Sequence, residues 1–357
     1  MNEERNQTHV LERWKNAAIH LEGVTDEQSR YERDRRVAEM GERINQGYVT
    51  PEDAQLLNQL NRGSTLTGAQ GTAVFLSHEG KRYLLTARHV LHDTISGSHE
   101  VEEAQRRAQE AQTEGDADHA NSLVRSAQEN AENQIFRIIR HVPSLVEVLR
   151  GPLEERAFLR FAPKGLDTPD LVTPGTETYT FSDQQHDLAI ISLDQQDEGS
   201  EHSFANELEA LGYQPVTLSD ISDGPSAEGA EVFTVGYPGA TSLVGEIPRT
   251  PKEALVASRA ISLPNFSWGK VSMLHEELIY FWCDMSVYPG NSGGPVIEND
   301  KLVGIVSKQA ILPVMSSEGE FLSDFITRIP FGNIVKAEFV RPLLDAQAQK
   351  DELARSV

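Results

Sequence analysis

From residue 71 onward, short apolar runs alternate with turn residues. Two of them, at 71–77 and 81–87, flank a turn at His78-Glu79-Gly80, and others follow at 157–162, 177–181, 188–194 and 216–218. A polar link through Asp220-Ile221-Ser222-Asp223-Gly224-Pro225-Ser226 separates these from a second series at 231–236, 254–263, 268–273, 278–284, 296–297, 302–306 and 325–329. Many short strands with turn signals between them predict antiparallel barrels rather than a parallel sheet. The expected fold is therefore mainly β, with two antiparallel six-stranded barrels.

Other stretches have a helical pattern. Residues 1–65 are charged and suggest two or three helices: one from Leu11 to Leu21, one from Asp26 to Asn45, and one opened by Thr50 as cap with Pro51 in its first turn. Between the runs at 81–87 and 177–181 lies an insertion of about residues 99–150. Its first part, about 100–133, is rich in Ala, Gln, Glu and Arg and reads as a solvated helix or disorder. In its second part Ile135, Ile138, Ile139, Val142, Leu145, Val146 and Leu149 approximate helical spacing, with Pro143 kinking or dividing the segment. This stripe requires a partner surface, either the barrels or another molecule. A closing helix is expected from Asn333 onward. The organisation predicted is an N-terminal helical region (1–65), a first barrel (66–219) carrying the insertion, and a second barrel with its C-terminal helix (220–357).

Of the 357 residues, 38% are hydrophobic, enough for a packed core, and the net charge of −23 argues against nucleic acid or an anionic membrane as partner. The single cysteine, Cys283, allows no intrachain disulfide and reads as a small core residue. The first residues contain no apolar leader and no stretch approaches the ~18 apolar residues of a membrane span, so a cytoplasmic location is expected.

Reaction chemistry is suggested by the run Gly290-Asn291-Ser292-Gly293-Gly294-Pro295. Flanking glycines let the chain turn tightly and approach a substrate closely. Ser292 Oγ can then stand clear while the amides of Gly290 and Ser292 converge on a developing oxyanion. His89 follows the 81–87 run, at a strand end where a general base can be held rigidly, and Asp187 heads the 188–194 run, where an orienting carboxylate belongs. Taken singly, His89 also fits a core histidine and Asp187 a turn or capping residue. His92 and Asp93 beside His89 suggest a metal only weakly, since no third ligand cluster accompanies them.

Together the motifs Thr86-Ala87-Arg88-His89-Val90, Asp187-Leu188-Ala189-Ile190 and Asp284-Met285-Ser286-Val287-Tyr288-Pro289-Gly290-Asn291-Ser292-Gly293-Gly294 resemble those of trypsin-like serine peptidases of the chymotrypsin fold. They are most similar to the HtrA/Deg type. The likeness covers the peptidase body only, because too few residues follow the strand near Val306 for a PDZ module. It implies a serine endopeptidase with a His89-Asp187-Ser292 triad, an oxyanion hole from Gly290 and Ser292, an acyl-enzyme, a protein or peptide substrate, and neither cofactor nor metal. It also implies a substrate pocket from Ser286, Ser307, Lys308, Gln309, Asp324 and Ile326. An inward Asp324 favours Lys or Arg before the scissile bond; the HtrA register makes Ile326 to Ile329 a small apolar pocket. Asn291 replaces the carboxylate that a freed N-terminus engages in secreted trypsins, so that activation route is not expected, whereas a regulatory protein acting through the added helices is permitted. The alternatives are a catalytically silent protein-binding module on the same fold, or an esterase or acyl transferase sharing the chemistry.

Overall fold

The computed structural model describes residues 2–24, 67–113, 117–136, 138–142, 159–160, 178–182, 185–194, 203–238, 263–315 and 321–355, with a few positions between 35 and 50. Within them the two strand series form two sheets. The first contains β1 (Ala18–Val24), β2 (Thr67–His78), β3 (Lys81–Ala87), β4 (Ile138–His141), β5 (Leu159–Arg160), β6 (Tyr179–Phe181), β7 (Leu188–Ser192) and β8 (Val216–Thr217). Its order is β5-β4-β1-β2-β3-β7-β6, with β8 running parallel to β2. The second sheet contains β9 (Glu231–Gly236), β10 (Asn265–Met273), β11 (Tyr280–Cys283), β12 (Pro295–Glu298), β13 (Lys301–Met315) and β14 (Phe321–Lys336), and closes as the barrel β10-β11-β14-β13-β12-β9. Among the described residues five helices accompany them: α1 (Asn2–Ala17), α2 (Thr94–Thr113), α3 (Ala117–Asn133), α4 (Phe204–Ala210) and α5 (Val340–Arg355). The architecture is thus mainly β, a closed six-stranded barrel beside a curled sheet.

Side-chain alternation along the strands explains the continuous apolar runs. In β2, Val74 and Leu76 face one core while Ala73 and Phe75 face another; in β7, Leu188 and Ile190 divide from Ala189 and Ile191 in the same way. A strand buried on both faces loses the polar half of its period. The core containing Val74 and Ile190 also contains Val235, Ile297, Ile305 and Val335 of the second sheet, so it is the layer joining the two halves. A further core of Val232, Val271, Phe281, Cys283, Val296 and Ile334 fills the closed barrel. Burial, with Asp284 nearby, pushes the Cys283 thiol up to about 12, as fits a packing residue.

Three expectations are corrected. The first helix stops at Ala17, not Leu21; from Ala18 the chain is β1, antiparallel to β2 and β4. The apolar stripe at 135–142 is not helical: Ile135 forms an isolated bridge with His92, Phe136 is fully buried, and Ile138–His141 is β4. Phe136 packs so closely on Gly23 that a Cβ there would sit 2.2 Å from its ring. Finally, Asn333–Lys336 ends β14, and the closing helix begins only at Val340. Most of the helix expected over Asp26–Asn45, the helix expected after Thr50, most of the 254–263 strand, and Leu145 to Leu149 lie outside the described residues.

Polar anchors bind the helices to this body. Trp14, fully buried, donates from Nε1 to Asp300 Oδ1 at 2.8 Å, tying α1 to the β12–β13 turn of the second barrel. Asp351 and Gln347 of α5 are fully buried; Asp351 accepts from Ser192 at 3.0 Å and Tyr83 at 3.3 Å, and Gln347 from Thr180 at 2.8 Å. α5 follows the last strand of the second barrel, so these bonds clasp it back onto the first sheet.

The first part of the insertion is an antiparallel helical hairpin. Asp93 caps α2, its carboxylate accepting from Ser96 N at 3.0 Å and Ser96 Oγ at 2.6 Å. Buried Ala104, Ala108, Ala120 and Ala127 form a small-residue seam between the helices. Its exposed faces carry ion pairs within each helix, such as Arg106 with Glu103 and Glu110, and Arg125 with Glu129. The hairpin therefore contributes little to the cores, whereas the segment after it contributes directly. Phe136→Ala is expected to cost about 3–5 kcal/mol of unfolding free energy, and Arg125→Ala on α3 no more than about 0.5 kcal/mol, both measured by urea denaturation.

Candidate active site

His89 stands in a short 3-10 turn, Arg88–Leu91, that continues from the end of β3. Val90 and Leu91 are buried and anchor the turn, leaving the imidazole 48% exposed. Asp187 precedes β7, and β7 pairs with β3 from Ala87↔Leu188 onward, so strand register alone brings the two residues together. The contact is specific: His89 Nδ1 lies 2.9 Å from Asp187 Oδ2 and 3.1 Å from Oδ1, and the His89 amide donates to Oδ1 at 3.1 Å. Arg88 N donates to the Asp187 carbonyl at 2.9 Å. Asp187 takes φ 49°, a left-handed conformation that Asp tolerates better than most residues.

Burial by itself pushes the Asp187 carboxyl up, but the hydrogen bond and charge of His89, the Ser307 hydroxyl and the His89 amide outweigh it and hold the group below its ordinary value. Ser307 Oγ donates to Asp187 Oδ2 at 2.5 Å. The sequence assigns Ser307 to a pocket wall, and its hydroxyl supports the carboxylate. Its carbonyl has a second task, accepting from Ser292 Oγ at 2.9 Å. Ser307 thus bonds Ser292 through its carbonyl and Asp187 through its hydroxyl, and Asp187 bonds His89, although the first two residues come from the closed barrel and the last two from the first sheet.

Several contacts shape the serine turn. Thr72 of β2 donates from N to the Ser292 carbonyl and from Oγ1 to the Gly290 carbonyl, each at 2.8 Å. Gly290 has φ 102° and Gly293 φ 84°, values that favour glycine. At Gly293 no side chain can fit, because a Cβ would lie 2.0 Å from the Thr72 carbonyl and 2.3 Å from Thr86 Oγ1. The Asn291 carbonyl accepts from Gly294 N at 2.8 Å. A trans peptide points its N–H opposite its carbonyl, so the Ser292 amide is turned away from Gly294. Asn291 itself is buried.

Ser286 and Lys308 are exposed, and Gln309 donates from Nε2 to the Ile329 carbonyl at 3.2 Å. Asp324 and Ile326 lie on β14, in the stretch 311–328 whose side chains fall outside the described residues. A cavity of about 550 Å³ opens beside the dyad, lined by Arg88, His89, His92 and Asp187 and by the near ends of α2 and α3. The sequence does not reveal this wall. Among the described residues no cluster of three His, Cys, Asp or Glu side chains is placed to hold a metal ion, and no helix is long and apolar enough to cross a membrane.

The family model described as the trypsin-like peptidase domain matches residues 71–305. No curated protein matches the chain. Among solved structures, a thermostable serine protease, AL20, from an extremophilic microorganism is 10% identical with a TM-score of 0.42, over 93% of this chain and 97% of that one. Human heparin binding protein is 9% identical with a TM-score of 0.36, over 79% and 86%. The family match spans most of the chain and contains His89, Asp187 and Ser292, so the chain belongs to the trypsin-like peptidases, serine-type hydrolases of peptide bonds.

Proposed function

We propose that this peptidase is an endopeptidase that works through a triad of Ser292 as nucleophile, His89 as general base and then general acid, and Asp187 as the carboxylate that orients the imidazole. The observation that carries this reading is the set of hydrogen bonds joining Ser292, Ser307, Asp187 and His89. In the first step Ser292 Oγ attacks the substrate carbonyl carbon and His89 takes its proton. The imidazolium then protonates the leaving amine, and water, deprotonated by the same imidazole, releases the acyl group. Asp187 Oδ2 facing Nδ1 favours the tautomer that leaves Nε2 free to accept, and its charge stabilises the imidazolium.

Ser292 Oγ rests on the Ser307 carbonyl, so attack requires the hydroxyl to transfer its hydrogen bond to His89, by rotation between staggered positions of one side-chain bond. The Gly290 and Ser292 amides are assigned to the oxyanion. The bond between the Asn291 carbonyl and Gly294 supports this assignment, because it turns the Ser292 N–H away from Gly294 and leaves it free of that turn. The acceptor sites that stabilise Asp187 are largely used by His89 and Ser307, which keeps the carboxyl ionised throughout the cycle rather than acting as a base. Protein or peptide is the substrate, and neither an organic cofactor nor a metal is assigned a role.

A serine-directed fluorophosphonate should label the wild-type protein, and Ser292→Ala should abolish labelling together with peptide hydrolysis. The expected fall in kcat for Ser292→Ala or His89→Ala is about 10⁶-fold. Labelling that survives Ser292→Ala assigns the nucleophile elsewhere, and ester turnover without peptide turnover reassigns the reaction to an esterase.

Asp187→Asn should lower kcat by about 10⁴-fold in a folded protein, because the amide supports the wrong imidazole tautomer. It also carries a pH signature. A carboxyl held below its ordinary value stabilises the fold above the unfolded value of about 4 and loses that contribution as pH falls through the folded value. The stability gap between wild type and Asp187→Asn should therefore be widest at neutral pH and close on acidification. A gap independent of pH would contradict the assigned ionisation.

A further inference from the structure

Most of the wall of the cavity beside His89 comes from the inserted hairpin rather than from the sheets. The hairpin root is fixed against the turn that carries the imidazole. Phe136 N donates to the Leu91 carbonyl at 2.9 Å and Asp93 N to the Gln134 carbonyl at 3.0 Å, so the chain entering the hairpin is tied to the chain leaving it. Above these bonds Gly97 meets Ala131 so closely that a Cβ would lie 3.1 Å from the alanine methyl. The cavity is therefore a built recess, open on its inner side to a half-exposed catalytic imidazole.

Its lining has a definite chemistry. Val101 and Ala131 supply apolar surface, while Glu102, Gln105 and Glu132 are exposed at the rim. Three acids elsewhere on the hairpin are paired: Glu103 with Arg106 and Arg107, Glu110 with Arg106, Glu129 with Arg125. Glu102 and Glu132 form no ion pair with any described residue. The arginines of the hairpin thus engage acids outside the cavity wall and leave the cavity-facing carboxylates available. Arg88 is the lining arginine, and its guanidinium lies over the Phe181 ring, 5.7 Å from the centroid. The charge of Asp187 is engaged by His89.

We propose that the hairpin root is a substrate subsite that receives a Lys or Arg side chain next to the scissile bond, its aliphatic stem against Val101 and Ala131 and its charged end at Glu102 and Glu132. The inference rests on the peptidase reading above. It gives the insertion a role in choosing substrate at a position separate from the pocket for the residue at the cleavage point.

The test is a positional peptide library, with the residues flanking the cleavage point randomised, read by mass spectrometry for the wild type, Glu102→Gln/Glu132→Gln and Glu102→Lys/Glu132→Lys. The wild type should enrich Lys and Arg at one flanking position. The glutamine pair should reduce that enrichment roughly three- to tenfold, the range for two exposed charge pairs, and the lysine pair should turn the preference toward Asp and Glu. Glu129→Gln on an outer face should leave the profile as it is. Identical profiles for all variants, or an equal change with Glu129→Gln, would overturn the subsite while leaving the peptidase reading intact. Should no peptide be cut in a Ser292-dependent way, the peptidase reading fails instead. The subsite is then decided by fluorescence titration of the Ser292→Ala protein with an Arg-containing peptide, where equal affinity with and without Glu102→Gln/Glu132→Gln rejects it.

Discussion

A single close approach governs the geometry of the site: the serine turn of the closed barrel is pressed against β2 and the end of β3, with the missing side chain of Gly293 as the condition for contact. A Cβ at that position would lie inside the contact radius of the Thr72 carbonyl and the Thr86 hydroxyl. Because it is absent, Thr72 reaches both the Ser292 and the Gly290 carbonyls. Two hydrogen bonds across the junction of two sheets fix the serine turn relative to the strand that ends at His89. A catalytic group displaced by an ångström loses much of its rate, so the fit at Gly293 acts on chemistry as well as on stability.

Asp187 is the second point of convergence, reached through different elements. Pairing of β7 with β3 brings it to His89, and Ser307 reaches it from β13 in the other sheet. The carboxylate is thus held by both halves of the molecule, and the balance of burial against hydrogen bonds keeps it ionised. Ser307 links Ser292 to the Asp187 carboxylate through its carbonyl and its hydroxyl, so residues of both sheets are tied together at one place.

The strands of both sheets were legible wherever two-sided burial produced continuous apolar runs, as in β2, β3, β7 and β9. The glycine-flanked serine, the histidine after a strand and the aspartate before one were legible because those surroundings are local. β1 and β4 were not. His20 and Glu22 interrupt the first, Arg140 and His141 the second, and all four are buried, against the usual rule for such residues. The alternation of Ile19 and Leu21 with His20 and Glu22 was the available signal. For the hairpin it was the small-residue seam of Gly97, Ala104, Ala108, Ala120 and Ala127, a sign of close helix packing rather than a solvated arm. Ser307 had no local signal, since its role comes from tertiary placement beside Asp187 and depends on how two sheets meet.

The attachment of the hairpin follows from the same division of labour. Its root is bonded to Leu91 and Asp93, shortly after the histidine, whereas Asp187 is held by β7 and by Ser307. Imidazole and carboxylate are therefore positioned by different parts of the chain. The pairing of β7 with β3 sets them side by side, and their hydrogen bonds at 2.9 and 3.1 Å complete the contact. An insertion at this point can vary in length and surface charge without entering any of the three cores, because its helices close on their own alanine seam. What it cannot vary is the pair of main-chain bonds at its base, Phe136 to Leu91 and Asp93 to Gln134, since these also hold β4 in line for β1. The segment at the base is consequently part of the barrel, and only the helices beyond it are an addition.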